Sequence, residues 1–294
     1  MALPEITPAL IRFDEEQMLA GERRRLEIEA DYTARAVPID RFGEMRGPVH
    51  AASLLAWNAV ADHCGVPRIP AEVIVSIPTA TAWKALDEPG NMTPEEDAVI
   101  DAAVCWCQNG RFWRTELCSS EGVKYALGRD GSYPSADLLA FTLDDCRIMD
   151  MHWGMPDIKV IGRPTVEPAR VKGWPVEFRV FCGGQADTGA VSFYYPQAGE
   201  FAITAKLQRA MDFAREYGLA LYHAREALGL VPWLPGSEPD KRIGATMDFM
   251  LTAEGELVMV DAGPGYGCGA HPCCFIDVPV TGQRWRLADG VELR

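Results

Sequence analysis

Two short apolar stretches near the C-terminal end, each with one aspartate in it, constrain this chain more than any other feature. Ala245-Thr246-Met247-Asp248-Phe249-Met250-Leu251 leads into Glu254-Gly255-Glu256, and Leu257-Val258-Met259-Val260-Asp261-Ala262-Gly263-Pro264-Gly265 follows. Apolar runs of this length, divided by a polar turn containing glycine, predict two paired strands. Asp248 and Asp261 then lie on neighbouring strands, and the second opens directly into a glycine-rich loop. Two such carboxylates suit a hard cation, because magnesium needs only one or two protein carboxylates and completes its shell with water and phosphate oxygens. A site of this kind points to a nucleoside triphosphate. The plainer alternative is a pair of incidental edge aspartates.

At 294 residues the chain can bury a large core and divide into more than one domain. Hydrophobic content of 48% with 24% charged residues is ordinary for a soluble globular protein. The net charge of −14 argues against nucleic acid or an anionic membrane as partner, since both call for a basic field. No apolar run approaches membrane-spanning length, and the N-terminus lacks the basic start and apolar core of a secretory signal. The nine cysteines therefore read as reduced thiols in a cytoplasmic protein. Cys105 and Cys107 are one residue apart, and Cys273 and Cys274 are adjacent. Neither spacing matches the pairs of structural zinc sites. Buried thiols packing as small hydrophobes is the simpler reading, with zinc through His271 and Cys273 as the alternative.

Along the chain, residues 15–31 predict an exposed, charge-rich helix. Residues 49–64 predict an amphipathic helix ended by Gly65, with Pro67 and Pro70 beyond. A strand is expected at 72–76, and a loop or linker at 78–94, where prolines, Gly90 and Asn91 gather. Pro94 and the acids behind it open a helix through 103. Strands are expected at 112–115 and 160–161, and a hairpin from 176–181 through Gly183-Gly184 to 190–195. Residues 204–228 predict a long helix, and 232–240 a loop. Strands and helices without regular alternation predict an α+β fold.

Four constellations could carry chemistry. Arg114 sits on a strand leading into Glu116-Leu117-Cys118-Ser119-Ser120-Glu121-Gly122-Val123-Lys124. Small residues there allow backbone N–H groups to approach an anion, and Lys124 can act as a point charge on phosphate. The spacing is not that of a P-loop, and a surface turn is the alternative. In Val176-Glu177-Phe178-Arg179-Val180-Phe181, alternation puts Glu177, Arg179 and Phe181 on one sheet face. Arg179 suits phosphate oxygens because its planar fork donates in pairs; an exposed ion pair is the alternative. Asp248 and Asp261 form the third constellation. The fourth is the run from Gly263 to Phe275, whose glycines permit close backbone approach. Within it His271 is a candidate acid, base or orienting donor, or else a surface residue on a turning loop.

In this order the constellations resemble the ATP-grasp superfamily over residues 105–275. Val176–Phe181 followed by Val191-Ser192-Phe193 is similar to the segment Glu-Phe-Arg-x-Phe and next strand of its cell-division-cycle 123 type. The resemblance implies two α+β lobes with the nucleotide site between them, preceded by an N-terminal region: 1–95, then a small lobe and linker at 96–168, then a large lobe at 169–294. It implies ATP and Mg2+ as cofactors. Lys124, Arg163, Val166, Glu167, Glu177 and Arg179 fall at the nucleotide, and Asp248 and Asp261 at the metal. Arg179, His271 and Arg114 are then the catalytic and substrate-facing candidates. Position 263 is glycine where the family has asparagine, which removes one expected metal ligand. The glycine-rich cover loop is also poorly matched.

The leading expectation is an ATP- and Mg-dependent ligase that joins a small-molecule or peptide carboxylate to an amine or thiol through an acyl-phosphate. Two alternatives stand beside it. One is a nucleotide-dependent assembly chaperone. The other is a polynucleotide ligase or nucleotidyltransferase acting through a lysyl-adenylate; the run Lys-Tyr-Ala-Leu-Gly at 124–128 faintly suggests that nucleophile, while the acidic charge disfavours a polyanion. A structural protein with incidental acids is the remaining possibility.

Overall fold

The computed structural model describes residues 9–11, 52–107, 112–119, 152, 155–183, 186–195, 201–228, 230 and 245–264. The chain divides into two compact units. One takes in Met1–Ala36, Ala59–Arg68 and Glu167–Arg294, and the other Val37–Asn58 and Ile69–Val166. Helices and antiparallel strands mix in both, so the expected α+β class is borne out. No helix among the described residues is long and apolar enough to cross a membrane.

In the unit holding residues 69–166, β2 (Glu72–Pro78), β3 (Phe112–Thr115) and β4 (Asp157–Arg163) form a sheet of order β2-β4-β3. Alternation along β3 and β4 turns Trp113, Ile158 and Val160 to one face, where they close a core with Ile77 and Ala82. The opposite face carries Arg114 on β3 and Lys159, Ile161 and Arg163 on β4. The helix α1 (Leu54–Cys64) begins after Ser53, whose Oγ accepts a hydrogen bond from Ala56 N at 3.1 Å, and stops at Gly65, which takes the left-handed φ of +66°.

The expected loop at 78–94 is corrected. It contains α2 (Thr79–Asp87) and a single 3-10 turn, Pro89–Asn91. Its prolines flank the helix rather than interrupt it: Pro78 precedes the first turn and Pro89 follows the last. Between them Ala82, Trp83 and Leu86 recur at helical spacing, and Ala82 and Trp83 join the core. The next helix, α3 (Pro94–Cys107), opens at proline as expected and runs four residues past position 103.

The other unit is built on a sheet of order β11-β10-β7-β8, from β7 (Glu177–Gly183), β8 (Ala186–Phe193), β10 (Ala245–Leu251) and β11 (Leu257–Pro264). Every neighbouring pair is antiparallel. The small ladders β5 (Arg170–Val171) with β6 (Trp174–Pro175), and β1 (Ala9–Ile11) with β9 (Phe201–Ile203), accompany it. The long helix α4 (Ala205–Ala224) packs on one sheet face. Thr204 caps it, its hydroxyl accepting from Leu207 N at 3.2 Å. The predicted helical run to 228 ends as a 3-10 turn, Arg225–Leu228. Phe178, Val180, Met247 and Phe249 are fully or almost fully buried on the helix side.

Contact between α4 and the sheet is close enough to require glycine at one position. A Cβ on Gly218 would lie 2.7 Å from Val180 Cγ1 and 3.0 Å from its Cβ. Val180 is buried, and turning its side chain about χ1 does not move the Cβ that lies 3.0 Å away. Gly218→Ala gains about 1 kcal/mol of helix propensity and loses about 2–3 to overpacking, so a net loss of roughly 1–2 kcal/mol is expected in denaturant unfolding. Unchanged or increased stability would mean that α4 is less tightly seated than described.

Candidate functional site

The expected hairpin forms, and its register sets two aspartates face to face. Asp248 on β10 lies opposite Asp261 on β11. On its other side Asp248 lies opposite Arg179 of β7, and Arg179 lies opposite Ser192 of β8. Residues directly opposite on adjacent strands project to the same side of a sheet. A row Asp261, Asp248, Arg179, Ser192 therefore crosses all four strands on the face turned away from α4.

Asp261 reaches this row through an irregularity. From Leu251↔Leu257 to Phe249↔Met259 the strands keep one register; beyond Asp248 it shifts by one residue, leaving Val260 extra on β11. Continued without the shift, the first register would set Asp261 opposite Met247, on the α4 side. The β-bulge turns Asp261 to the face of Asp248. The Asp261 carboxylate Oδ1 then accepts a hydrogen bond from the following Ala262 N at 3.0 Å.

Asp248 is almost wholly buried, and Arg179 holds it in a fork: Nε donates to Oδ1 at 2.8 Å and Nη2 to Oδ2 at 2.7 Å. Arg179 and Asp248 thus form a mostly buried bidentate ion pair, with side-chain exposures of 14% and 7%. The guanidinium carbon also sits 4.8 Å from the centroid of the Tyr194 ring, within cation–π range. One row along, Glu177 accepts a hydrogen bond from the Tyr195 hydroxyl at 3.1 Å. Burial raises the Tyr195 phenol far above its ordinary range, with the charge of Glu177 adding to the effect. Tyr195 therefore remains a donor to Glu177. Its ring stacks on Trp174 at 5.6 Å.

Gly263, where the family resemblance led us to expect asparagine, lies opposite Thr246 on the same face as the aspartates. Among the described residues, a Cβ there would meet no atom within 4 Å. Among the described residues no group of three His, Cys, Asp or Glu is placed to hold a metal. The carboxylates of Asp248 and Asp261 are the protein donors this row offers, and hard oxygen donors of this number fit magnesium when phosphate oxygens supply the remainder.

The remaining candidates fall as follows. Arg114 and Arg163 lie on the adjacent strands β3 and β4 of the other unit, both buried, and Arg114 Nε donates to the carbonyl of Thr115 at 3.0 Å. Val166 is half-buried. Glu167 is exposed, with Arg170 at 3.5 Å, while its carbonyl accepts from Ala253 N at 2.9 Å. Lys124 and His271 lie outside the described residues.

Sequence reasoning passed over a second polar cluster, in the Arg114 unit. Glu116 is buried and accepts from the Ser53 hydroxyl on Oε1, while Lys159 Nζ lies 3.1 Å from its Oε2. The Glu116 carbonyl accepts from Leu54 N at 3.1 Å, and its amide donates to the Lys159 carbonyl at 2.9 Å. One residue thus ties the start of α1 to the ends of β3 and β4. No local signal marks Ser53 as its partner, because 63 positions separate them.

No protein-family model matches the chain, and no curated protein does. Among solved structures it is similar to C-terminally truncated Cdc123 from Schizosaccharomyces pombe, at 14% identity and a TM-score of 0.43 over 74% of this chain and 84% of that one. It is also similar to D-alanyl-alanine synthetase A from Vibrio cholerae, at 13% identity and a TM-score of 0.34. That likeness covers 72% of this chain and 55% of the synthetase. A third structure, N5-carboxyaminoimidazole synthase from Aspergillus clavatus, solved with ADP, is 9% identical with a TM-score of 0.36, over 72% of this chain and 44% of that one.

Proposed function

We propose that this protein binds ATP with Mg2+ and acts as a ligase, joining a carboxylate to an amine or thiol through an acyl-phosphate. The observation that carries the reading is the cross-strand row of Asp261, Asp248 and Arg179, two hard-cation ligands beside a phosphate-type donor on one sheet face. Asp248 and Asp261 would hold the magnesium, which when bound neutralises charge on the phosphoryl group in transfer. Arg179 would donate to phosphate oxygens, Glu177 and Tyr195 would fix the neighbouring wall, and Lys124, Arg163, Val166 and Glu167 would complete the nucleotide site. Arg114 and His271 are assigned to the substrate. Residues 96–168 and 169–294 would serve as the small and large lobes.

Electrostatic stabilisation supplies most of the rate enhancement in such chemistry, so the fixed charges matter more than any proton shuttle. A melting-temperature series tests the reading. ATP with Mg2+ at about a hundredfold over Kd should stabilise the protein by about 2.7 kcal/mol, and ATP with EDTA by clearly less. No shift under either condition would remove the nucleotide from the account. Turnover separates the classes: ADP formation that quickens with a carboxylate and amine pool fits the ligase, nucleotide binding without turnover fits an assembly chaperone, and a covalent AMP adduct fits end-joining.

Asp261→Ala should abolish the Mg2+-dependent part of the shift. Asp261 is half-buried, and its Oδ1 accepts a hydrogen bond from the adjacent Ala262 N. Loss of this charged acceptor should lower stability without ligand by about 1.5–3 kcal/mol. An unchanged Mg2+ response would take Asp261 out of the site.

A further inference from the structure

Resting on the reading of this row as a metal–nucleotide site, we propose that Arg179 is an exchangeable internal counter-ion: it holds Asp248 until a polyphosphate arrives with the metal, and then passes from carboxylate to phosphate. A cation held by both oxygens of Asp248 displaces the fork, and one held by a single oxygen weakens it. The two Asp248 oxygens each take one Arg179 N–H, at 2.8 and 2.7 Å. A divalent ion that takes both oxygens unaided has to part this pair and leave a guanidinium, itself only 14% exposed in its side chain, without its carboxylate. That cost is large for a buried charge. A metal that comes with a phosphate chain avoids it, because phosphate oxygens accept the same planar fork.

The local geometry suits a short transfer. Arg179 stands between Asp248 and Ser192 in the row, and its guanidinium lies 4.8 Å from the Tyr194 ring centroid, a face that can hold the charge as it leaves Asp248. Asp261, on the far side of Asp248, is positioned to share the cation once the fork is released. The consequence is thermodynamic coupling. Metal should strengthen polyphosphate binding, and polyphosphate should strengthen metal binding by the same factor, with Arg179 as the link. A site of two aspartates with no competing arginine would take the ion unaided.

Mn2+ binding to the full chain, followed by the paramagnetic resonance of the free ion, tests this with no need of turnover. It is measured alone and with a non-hydrolysable ATP analogue, in the parent protein, Arg179→Met and Asp248→Asn. In Arg179→Met the Mn2+ affinity without nucleotide should rise by at least about tenfold, and the further gain on adding the analogue should shrink to what direct ligation by phosphate oxygens supplies. Unchanged or weaker Mn2+ binding in Arg179→Met, with binding lost in Asp248→Asn, overturns the exchange and leaves the site assignment standing. Parent-like Mn2+ binding in Asp248→Asn overturns the site itself. Should Arg179→Met fail to fold by circular dichroism, Arg179→Lys keeps the charge without the fork. It should still raise nucleotide-free Mn2+ affinity severalfold, and no rise contradicts the proposal.

Discussion

Asp248→Asn is expected to eliminate the Mg2+-dependent rise in melting temperature and to destabilise the protein on its own. Both effects come from one carboxylate. Its oxygens are the acceptors for the Arg179 fork, and its side chain is 7% exposed. An asparagine keeps the shape but has one acceptor oxygen and no charge, so Arg179 keeps at most one of its two hydrogen bonds to this side chain. Breaking a buried pair by removing one partner costs about 3 kcal/mol or more. At a few degrees per kcal/mol, the melting temperature should drop by roughly 6–12 °C. A second variant separates stability from binding. In Arg179→Met/Asp248→Leu neither charge remains, and apolar replacement of a buried pair is often neutral. Most of the lost stability should return while the Mg2+ response stays absent. A double variant as unstable as Asp248→Asn would mean that the pair does more than cancel its own burial.

Glu116→Ala is the other large effect expected, and it is one of stability. The substitution removes the acceptor for the Ser53 hydroxyl and the partner of Lys159 Nζ, and it leaves a small cavity at the start of α1. The loss of a buried charged acceptor and its packing should cost about 2–3 kcal/mol in denaturant unfolding. Glu116→Gln should cost less. Its amide oxygen still accepts from Ser53, and the pairing with Lys159, whose side chain is 43% exposed, is screened by water. Hydrogen exchange locates the damage: amide protection should fall first in the opening turn of α1 and along β3. Equal effects of the alanine and glutamine variants would make the charge, not the hydroxyl contact, the stabilising element.

Local patterns in the sequence announce much of this fold. Thr204 followed by an apolar stripe predicts the capped start of α4, and period-two alternation from Glu177 to Phe181 predicts which side of β7 meets the helix. The hairpin of β10 and β11 is legible from its turn, where Gly255 takes a φ of +94°. What local pattern does not carry is pairing across distance. Arg179 meets Asp248 because β7 and β10 are adjacent in the sheet, although the two residues are 69 positions apart in the chain. Alternation counted along β11 also does not say which face Asp261 takes, since the bulge at Val260 has no distinctive residue to mark it. In the 78–94 segment the failure is of another kind. Proline density favours a loop there, yet prolines just outside a helix are compatible with it. Ser53 and Glu116 illustrate the same distance limit in the other unit.

The central claim is that Asp248 and Asp261 share a divalent ion that accompanies a triphosphate. A crystal of the protein grown with a non-hydrolysable ATP analogue and Mn2+, with anomalous data collected at the manganese edge, tests it most directly. The proposed site predicts an anomalous peak within coordination distance of both carboxylates, with phosphate density on the Arg179 side. Nucleotide and manganese bound elsewhere, with the Arg179–Asp248 fork intact, would contradict it.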